Sequence, residues 1–234
     1  MRISKAPTAL ALIPDGNRRW AKSQGLRFFN GYKMGVEKFI DFADWCRDYG
    51  VNNITVWAFS TENFVRPSSE REALFGIYKK VAADREILDR LHENKTRFNV
   101  VGDIAMLPKD LAKALKKVEV ETGAYKDRVI NMLIAYGGKD DILHAAQMLV
   151  KDAVSNGIRN VNETLFRSYM ISRSIPDIDL VIRTSGEERL SGFMPWQSGY
   201  SELYFSKKLW PDFTRKDLEL ALIEYNRRQR RFGV

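Results

Sequence analysis

Two arginine-rich loops follow apolar runs that lie far apart in this sequence. The first run, 9–13, leads into the segment Asp15-Gly16-Asn17-Arg18-Arg19-Trp20. The second run, 180–182, leads into the segment Arg183-Thr184-Ser185-Gly186-Glu187-Glu188-Arg189-Leu190-Ser191. Guanidinium groups bind phosphate oxygens through paired hydrogen bonds, and a glycine lets backbone amides turn toward an anion. The two loops therefore predict a binding site for phosphate groups, and guanidiniums with hydroxyls around one turn suit a diphosphate.

Carboxylates near the same loops predict a divalent cation. Asp15 cannot bind a phosphate directly because like charges repel, but it can hold Mg²⁺ that in turn binds phosphate. Glu202 follows the segment 196–201 and is a second candidate for a magnesium ligand. For the loop at Asp15 taken alone, an ordinary Asp-Gly turn is the alternative interpretation.

A third polar segment follows the apolar run 54–59. It reads Ser60-Thr61-Glu62-Asn63-Phe64-Val65-Arg66. The side-chain amide of Asn63 could position a leaving diphosphate. The alternative is a capped loop before the next helix, which the serines at 68 and 69 also explain.

Short apolar runs alternate with longer helical patterns along the chain. Continuous apolar runs are typical of strands covered on both faces, and they predict strands at 9–13, 54–59, 97–101, 130–135, 180–182 and 202–205. Amphipathic periodicity predicts helices at 31–49, 70–93, 108–122, 140–155, 162–172 and 214–231. The alternation predicts one α/β domain over residues 1–234, with a central, mainly parallel six-stranded sheet and helices on both faces. Ligands bind such sheets at the carboxyl ends of the strands, where the polar loops fall.

Composition narrows the classes of partner and site. The chain has 234 residues and a net charge of +8, which favours an anionic partner. A nucleic-acid-binding module is the competing explanation, but the sequence has no stacking motif or helix-turn-helix pattern. One cysteine, Cys46, and two distant histidines, His92 and His144, argue against a zinc site. No apolar run approaches the roughly 20 residues that span a bilayer, so we expect a cytoplasmic location.

Five ordered motifs resemble one known family. They are Asp-Gly-Asn-Arg-Arg-Trp at 15–20, Phe-Ser-Thr-Glu-Asn-Phe at 59–64, Ala-Tyr-Gly-Gly-Lys at 135–139, Ile-Arg-Thr-Ser-Gly-Glu-Glu-Arg-Leu-Ser at 182–191 and Arg-Phe-Gly at 231–233. Together they resemble the cis-prenyltransferases, the family of undecaprenyl diphosphate synthase and dehydrodolichyl diphosphate synthase. The resemblance covers nearly the whole chain. It implies condensation of isopentenyl diphosphate with an allylic diphosphate, formation of a Z polyprenyl diphosphate and release of diphosphate. It also implies Mg²⁺, a hydrophobic tunnel and a homodimer.

The resemblance assigns roles to individual residues. Asp15 and Asn63 are expected to be catalytic, and Asp15 and Glu202 to hold Mg²⁺, with Glu202 coming from the partner subunit or from across the site. Arg231 and Gly233 match a C-terminal segment that closes over the diphosphate at the dimer interface. Isopentenyl diphosphate is expected at Arg183, Arg189 and Ser191. The other expected substrate-binding residues are Gly16, Asn17, Arg18, Arg19, Trp20, Tyr32, Ser60, Glu62, Phe64 and Arg66.

The hydrophobic tunnel would need apolar side chains along its wall. Aromatic and aliphatic side chains that could line the tunnel are Phe28, Phe29, Trp57, Phe59, Leu74, Phe75 and Tyr78.

Tyr32 stands where many bacterial members have a histidine, and Phe28 where they often have an arginine; Pro14, Lys139 and Gly192 differ as well. These differences change the edge of the site where the allylic substrate is expected to bind. An alternative function on the same fold is therefore head-to-middle coupling or transfer of the prenyl group to a different acceptor. A non-catalytic subunit is a further alternative, although Asp15 and the Arg-Thr-Ser-Gly segment are retained. A lipid-like product also predicts transient contact with a membrane surface.

Overall fold

The computed structural model describes residue 3 and residues 5–228. Its centre is one sheet of six strands in the order β3-β4-β2-β1-β5-β6, and each neighbouring pair is parallel. The strands are β1 (Ala9–Ile13), β2 (Asn53–Ser60), β3 (Thr96–Val101), β4 (Arg128–Tyr136), β5 (Leu180–Arg183) and β6 (Glu202–Phe205). The predicted α/β class, the six strands and the parallel sheet are confirmed.

Eight α-helices connect and flank the strands in the described part of the chain. They are α1 (Asn17–Ser23), α2 (Phe28–Asp48), α3 (Ser68–Ala82), α4 (Arg85–Glu93), α5 (Lys109–Glu121), α6 (Gly138–Asn156), α7 (Glu163–Ser168) and α8 (Arg215–Arg227). Parallel strands need such crossover connections because consecutive strands run in the same direction.

One helix prediction and one loop prediction were wrong. The expected helix over 70–93 is divided into α3 and α4, because the side chain of Asp84 accepts from the amides of Glu86 and Ile87 and begins a new helix. The segment 14–20 was expected to be a loop, but its residues from Asn17 onward begin α1 directly after Gly16. Seven residues provide too few turns for a clear helical periodicity in the sequence.

One face of the sheet carries a continuous apolar core. Leu10, Leu12 and Ile182 pack against Phe42 of α2 and Leu222 of α8. Farther along the same face, side chains of β4 pack against α3 and α5. β1 is buried over its whole length because both faces of the sheet are covered.

The opposite face is covered by the chain between α6 and β6. Ala11, Leu133 and Val181 pack against Phe193 and Met194, which are both fully buried. Helices and packed loops therefore lie on both faces, as predicted. Within residues 5–228, no helix is long and apolar enough to cross a membrane.

The strand order places the loops of interest side by side. β1 lies between β2 and β5, and Ile13 is in register with Arg183. The loops that follow β1, β2 and β5 therefore open at one edge of the sheet, the edge where ligands bind in parallel α/β folds.

Candidate active site

The ends of β1 and β5 bring a carboxylate and a buried guanidinium together. Arg183 Nη2 donates to Asp15 Oδ2 at 2.9 Å, and the arginine is only 5% exposed. Arg183 Nη1 donates to Ser191 Oγ at 2.8 Å and to the carbonyl oxygen of Arg189 at 2.5 Å. Three of the predicted site residues, Asp15, Arg183 and Ser191, thus form one hydrogen-bonded group.

The backbone of Asp15 is held from several sides. Its carbonyl oxygen accepts from Thr184 Oγ1 at 2.7 Å and from the amide of Trp210 at 3.0 Å. Gly16 follows with φ of 104°, and a Cβ there would lie 2.9 Å from Leu209 Cδ2. A side chain at this position would strain the backbone and collide with its neighbour, so glycine fixes the direction of the loop.

A second group of charges lies at the surface of the same site. Arg19 Nη2 donates to Ser185 Oγ at 2.6 Å and lies 3.7 Å from Asp15 Oδ1. Glu187 forms ion pairs with both Arg19, at 3.3 Å, and Arg189, at 2.6 Å. The side chains of Arg19 and Arg189 are 50% and 61% exposed, so both guanidiniums can still reach a ligand.

A third group of polar side chains joins α1, α2 and α3. Tyr32 donates to Glu70 Oε1 at 2.5 Å and accepts from Arg66 Nη1 at 2.8 Å. Glu70 also pairs with Arg66 at 3.2 Å and with Arg18 at 3.3 Å. Glu70 is 7% exposed, so this carboxylate is a buried anchor for two arginines.

The pKa values in this group follow from its contacts. Burial and the hydrogen bond to Glu70 raise the pKa of Tyr32 well above its ordinary value, so the phenol stays protonated. Burial opposes ionisation of Glu70, but the hydrogen bond from Tyr32 and the charges of Arg18 and Arg66 outweigh it and lower the pKa of Glu70. Glu70 is therefore an anion at neutral pH.

Asn63 lies in the turn that follows β2. Its Oδ1 accepts from the amide of Ser60 at 3.3 Å, and the Ser60 side chain accepts from the amide of Asn63, which caps the 3₁₀ turn Thr61–Val65. The alternative interpretation as a capped loop is therefore correct only for this turn, which Ser60 caps; the serines at 68 and 69 do not cap α3, which has Pro67 at its N-cap position and no side-chain cap. Ser60, Glu62 and Asn63 nevertheless line the cavity described next, so cap and site coincide.

A cavity of about 880 Å³ begins among these charged side chains. It runs along β2 from Ser60, at the carboxyl end, to Asn52, before the amino end. Its middle is apolar, with Val36, Ile54 and Leu74 among its lining residues. The predicted hydrophobic tunnel is therefore present, and its charged mouth contains Asp15, Asn17, Arg18, Arg19, Tyr32, Arg66, Arg183, Arg189 and Ser191.

The far end of the cavity is polar. Arg47 donates to Asp44 Oδ1 at 2.8 Å and to Asn94 Oδ1 at 2.9 Å, and Arg90 also pairs with Asp44. Arg128 Nη1 donates to the carbonyl oxygen of Asn94 at 3.0 Å, while its Nε is buried with no partner among the described residues. An apolar tail that reaches this end would contact charged side chains and no longer apolar ones.

Not every side chain expected to line the tunnel does so. Leu74 and Tyr78 line it, and Trp57 borders it from β2, although the Trp57 ring packs on Phe193 at the opposite face of the sheet. Phe59 and Phe75 pack against each other with ring centroids 5.0 Å apart, so they support the wall from behind. The lining does not include Phe28, which packs edge-on against Tyr32, or Phe29, which is 39% exposed.

Two residues expected to bind substrate lie outside the cavity lining. The indole of Trp20 donates to Asp212 Oδ1 at 2.8 Å and thereby holds α1 to the chain before α8. Phe64 packs at 5.0 Å against Phe59. In the described structure both have supporting contacts, and neither lines the cavity.

Glu202 is separated from Asp15 within one chain. It begins β6 in register with Leu180, the first residue of β5, whereas Arg183 is the last residue of β5. Three residues of strand correspond to about 10 Å. Glu202 Oε2 accepts from Arg228 Nη1 at 3.1 Å. The described chain therefore does not bring Asp15 and Glu202 together, and the expected role of both as magnesium ligands, with Glu202 supplied by a partner subunit, stays a prediction. Arg231 and Gly233 lie outside the described residues.

Sequence reasoning missed two acidic residues of the site. Glu70 anchors Arg18 and Arg66, and Glu187 bridges Arg19 and Arg189. Arg66 lies before α3 with an extended backbone, so the helical spacing of four residues does not apply to this pair and the sequence contains no clear signal for it. For Glu187, the sequence offers no signal that separates it from its neighbour at 188.

The residues at the mouth fit a magnesium ion that is shared with a substrate. Mg²⁺ is typically bound by one or two carboxylates together with substrate phosphates and water. The Asp15 side chain is 34% exposed at the mouth, and the guanidiniums of Arg19 and Arg189 can hold phosphate beside it. The described residues contain no group of three or more His, Cys, Asp or Glu side chains that could hold a metal ion.

Comparison with known proteins decides the family. A family model described as "Putative undecaprenyl diphosphate synthase" matches residues 13–233. The chain belongs to this family. The resemblance to the cis-prenyltransferases is thereby confirmed, and the charged mouth and apolar cavity are those of a prenyltransferase.

Individual relatives of this prenyltransferase agree with the family. It is 42% identical to a tritrans,polycis-undecaprenyl-diphosphate synthase (geranylgeranyl-diphosphate specific) of Picrophilus torridus, over 97% of this chain and 90% of the relative. It is 42% identical to an isoprenyl transferase of Thermotoga maritima, over 100% of this chain and 98% of the relative. The crystal structure of lavandulyl diphosphate synthase from Lavandula x intermedia in complex with dimethylallyl diphosphate superposes with a TM-score of 0.93 at 33% identity, covering 97% and 98% of the two chains.

Proposed function

We propose that this prenyltransferase condenses isopentenyl diphosphate with an allylic diphosphate, using Mg²⁺, and releases a Z polyprenyl diphosphate. The single observation that carries the proposal is the cavity. One charged mouth with two groups of arginines opens into an apolar channel along the sheet. Two diphosphates and one hydrocarbon tail need such a combination of surfaces.

The reaction requires charge to be stabilised at the mouth. The allylic carbon–oxygen bond breaks, the electron pair of the isopentenyl double bond forms the new carbon–carbon bond, and a proton leaves the adjacent carbon. The departing diphosphate gains negative charge as the bond breaks, so fixed guanidiniums stabilise the transition state more than the ground state. Bound at Asp15 and the departing diphosphate, Mg²⁺ would neutralise part of that charge.

The two diphosphates are assigned to the two arginine groups. Arg183, Arg189 and Ser191 form the group after β5, and we assign isopentenyl diphosphate to it. Arg18 and Arg66, anchored by Glu70, lie with Tyr32 at the start of the apolar channel, and we assign the allylic diphosphate to that group together with Arg19 and Asn17. Asp15 lies between the groups because it accepts from Arg183 at 2.9 Å and lies 3.7 Å from Arg19.

The direct test is product analysis with radiolabelled isopentenyl diphosphate. The purified chain is mixed with Mg²⁺ and with dimethylallyl, farnesyl or geranylgeranyl diphosphate, and the products are separated by chromatography. Labelled polyprenyl diphosphates longer than the primer are expected. The name of the Picrophilus torridus relative supports geranylgeranyl diphosphate as the preferred primer. The absence of labelled product with every primer would overturn the proposal.

The same assay tests the alternative reactions. Head-to-middle coupling would give product from dimethylallyl diphosphate alone, whereas elongation needs the isopentenyl partner. The two curated relatives described above are 42% identical to this chain and carry names that favour elongation, so the alternative is not favoured. Incubation without Mg²⁺, after treatment with a chelator, is expected to abolish product.

We also propose a homodimer. Leu143, Val150 and Val154 are 59%, 64% and 83% exposed on α6, at spacings of seven and four residues that share one helix face. A second copy of the chain would cover this face, and it could bring Glu202 to the mouth from a direction that one chain does not permit. Light scattering after size-exclusion chromatography should show a dimer, and Val150→Glu should shift it toward monomer, whereas Val120→Glu on α5 should not.

Contact with a membrane surface is the last part of the proposal. Val65 is 91% exposed beside Arg66, and Leu26 and Phe29 are exposed near the beginning of α2, on the mouth side of the sheet. Lys22 and Arg27 lie in the same exposed stretch. Sedimentation with vesicles that contain anionic lipid should retain the protein weakly, and Leu26→Ser with Val65→Ser should abolish that retention. The cytoplasmic location stays a prediction.

A further inference from the structure

The loop that carries Arg189 and Ser191 has an unusual backbone. Ser191 and Met194 have φ of 52° and 40°, and Gly192 between them has φ of 81°. Residues other than glycine rarely adopt such angles, and they persist only where surrounding contacts impose them. We name residues 189–194 the acceptor loop, because its first members hold the diphosphate assigned to the acceptor substrate.

The amino end of α6 supplies one of those contacts. The amide of Gly138 donates to the carbonyl oxygen of Gly192 at 3.2 Å. A Cβ at Gly138 would lie 2.2 Å from that oxygen and 2.3 Å from Pro195 Cδ. Both distances are far below van der Waals contact, so only glycine lets the helix approach the acceptor loop this closely.

Trp57 supplies a second contact from the sheet. Its indole Nε1 donates to the carbonyl oxygen of Tyr136 at 3.1 Å, and its ring packs on Phe193 with centroids 5.3 Å apart. Phe193 is fully buried. The end of β4 and the acceptor loop are thus joined both through Trp57 and through Gly138.

A buried polar network holds α6 itself in place. Asp141, which is fully buried, accepts from Tyr136 Oη at 3.0 Å, from the amide of Ile171 at 2.7 Å and from Ser172 Oγ. Gln197 Nε2 donates to Ser172 Oγ at 2.6 Å. The network therefore fixes the amino end of α6 relative to Ser172, which precedes the acceptor loop in the chain, and to Gln197, which follows it.

The acceptor loop in turn sets the position of the buried arginine. Ser191 Oγ and the carbonyl oxygen of Arg189 both accept from Arg183 Nη1. A shift of Gly192 moves the adjacent Ser191 and with it two of the contacts that orient this guanidinium. Misplacement of a binding group by about 1 Å can cost two orders of magnitude in rate.

We propose that Gly138 is a positioning residue for the acceptor diphosphate, acting through the carbonyl oxygen of Gly192 on Ser191, Arg189 and Arg183. Trp57 acts in the same direction from the sheet. The inference rests on the proposed function only in the identity of the ligand, isopentenyl diphosphate, at this group of residues.

The variant Gly138→Ala tests the proposal. We expect the KM for isopentenyl diphosphate to rise about tenfold or more, while the KM for the allylic primer stays within about twofold. A merely structural role would lower the amount of active enzyme and leave both KM values unchanged. Gly76→Ala on α3 is the matched control, because a Cβ there meets no atom within 4 Å, and it should change neither KM.

Direct binding separates this inference from the proposed function. Calorimetric titration with isopentenyl diphosphate, in the absence of an allylic substrate, should show weaker binding by Gly138→Ala than by the wild type. If the wild type does not bind this ligand, the proposed function fails; if both proteins bind it equally, the positioning role fails and the proposed function stands. Trp57→Phe keeps the ring on Phe193 but loses the indole donor, so it should show a smaller rise in the same KM. It supplies the test if Gly138→Ala does not fold, and an unchanged KM in Trp57→Phe would then overturn the proposal.

Discussion

Arg183 and Asp15 form a 2.9 Å ion pair although 168 positions separate them in the sequence. The contact exists because β1 and β5 are neighbours and end at the same edge of the sheet. The arginine is almost fully buried and the carboxylate is partly exposed, so an incoming ligand approaches from the Asp15 side. This pair links the acceptor group of arginines to the carboxylate that is expected to hold the metal.

The variant Asp15→Asn should be nearly inactive. The amide keeps the shape of the side chain but removes the charge that faces Arg183, Arg19 and the expected cation. We expect kcat to fall by about two to three orders of magnitude, as for removal of one group that stabilises transition-state charge. Initial rates with labelled isopentenyl diphosphate measure the effect.

A control for Asp15→Asn is available on the surface. Asp177 pairs with Arg167 and is 70% exposed, so Asp177→Asn should retain full activity. Both variants should fold, with Asp177→Asn as stable as the wild type and Asp15→Asn unfolding at a lower temperature because it loses the ion pair with the buried Arg183. Full activity of Asp15→Asn would refute the assigned role of this carboxylate.

The hydroxyl of Tyr32 should matter for the allylic substrate. Tyr32→Phe removes the acceptor of Arg66 and the donor to Glu70, while the ring stays in place. Loss of a hydrogen bond worth about 1 kcal/mol corresponds to a rise of about fivefold in the KM for the allylic diphosphate. Tyr169→Phe, which removes a surface hydrogen bond to Asp152, is the control and should leave both KM values unchanged.

The ion pairs of Glu70 should make the free energy of unfolding depend on pH. Its pKa is lower in the folded protein than its ordinary value of 4.5, so its stabilising effect is fully present above that value and is lost as the pH falls through the lower folded pKa. Glu70→Gln should therefore be less stable by about 2 kcal/mol at pH 7, and the difference should shrink below pH 4.5.

Urea unfolding of the wild type and Glu70→Gln between pH 3 and 7 measures this dependence. Glu72→Gln changes an exposed carboxylate on the same helix and should show no such difference. A gap between wild type and Glu70→Gln that stays constant down to pH 3 would contradict the ion-pair account.

Arg128 should limit the length of the product. Its guanidinium lies at the polar far end of the cavity, and its buried Nε lacks a partner among the described residues, so an apolar tail gains little by advancing to it. Arg128→Leu should extend the apolar lining and shift the products toward longer chains by about one or more isoprene units. Chromatography of labelled products with one fixed primer gives the comparison.

Arg97→Leu is the matched control for Arg128→Leu. Arg97 lies on the neighbouring strand β3, is exposed, and is not part of the cavity lining. Its replacement should leave the product distribution unchanged. If both variants shift the distribution equally, the cavity end does not set the length.

The strands and the centre of the site could be predicted because their signals are local. β1 and β5 are apolar runs; Asp15 is the second residue after β1, and Arg183 is the last residue of β5. The break between α3 and α4 depends on one capping side chain, Asp84. The helical periodicity of the sequence continues across the break, so the pattern predicts one long helix. Phe59 and Phe75 show the limit for the tunnel, because a sequence does not say whether an aromatic ring faces a cavity or another ring.

Relations between elements were harder to predict. Glu202 lies near the Arg-Thr-Ser-Gly segment in the chain, but its place at the first residue of β6 follows from strand register, which is a property of the whole sheet. Glu70 and Glu187 acquire roles through arginines that are brought to them by other strands and helices. Charge is visible in a sequence, whereas its partner depends on the assembled fold.

The cavity extends for the full length of β2, about 25 Å by the rise of a strand. The residues that grip the diphosphates, such as Arg183, and those at the distal terminus, such as Arg128, therefore share no contacts. Substitutions at the two ends should combine additively, because well-separated sites act independently. Evolution or an engineer could accordingly change the length of the lipid in small steps without disturbing the machinery that joins its units.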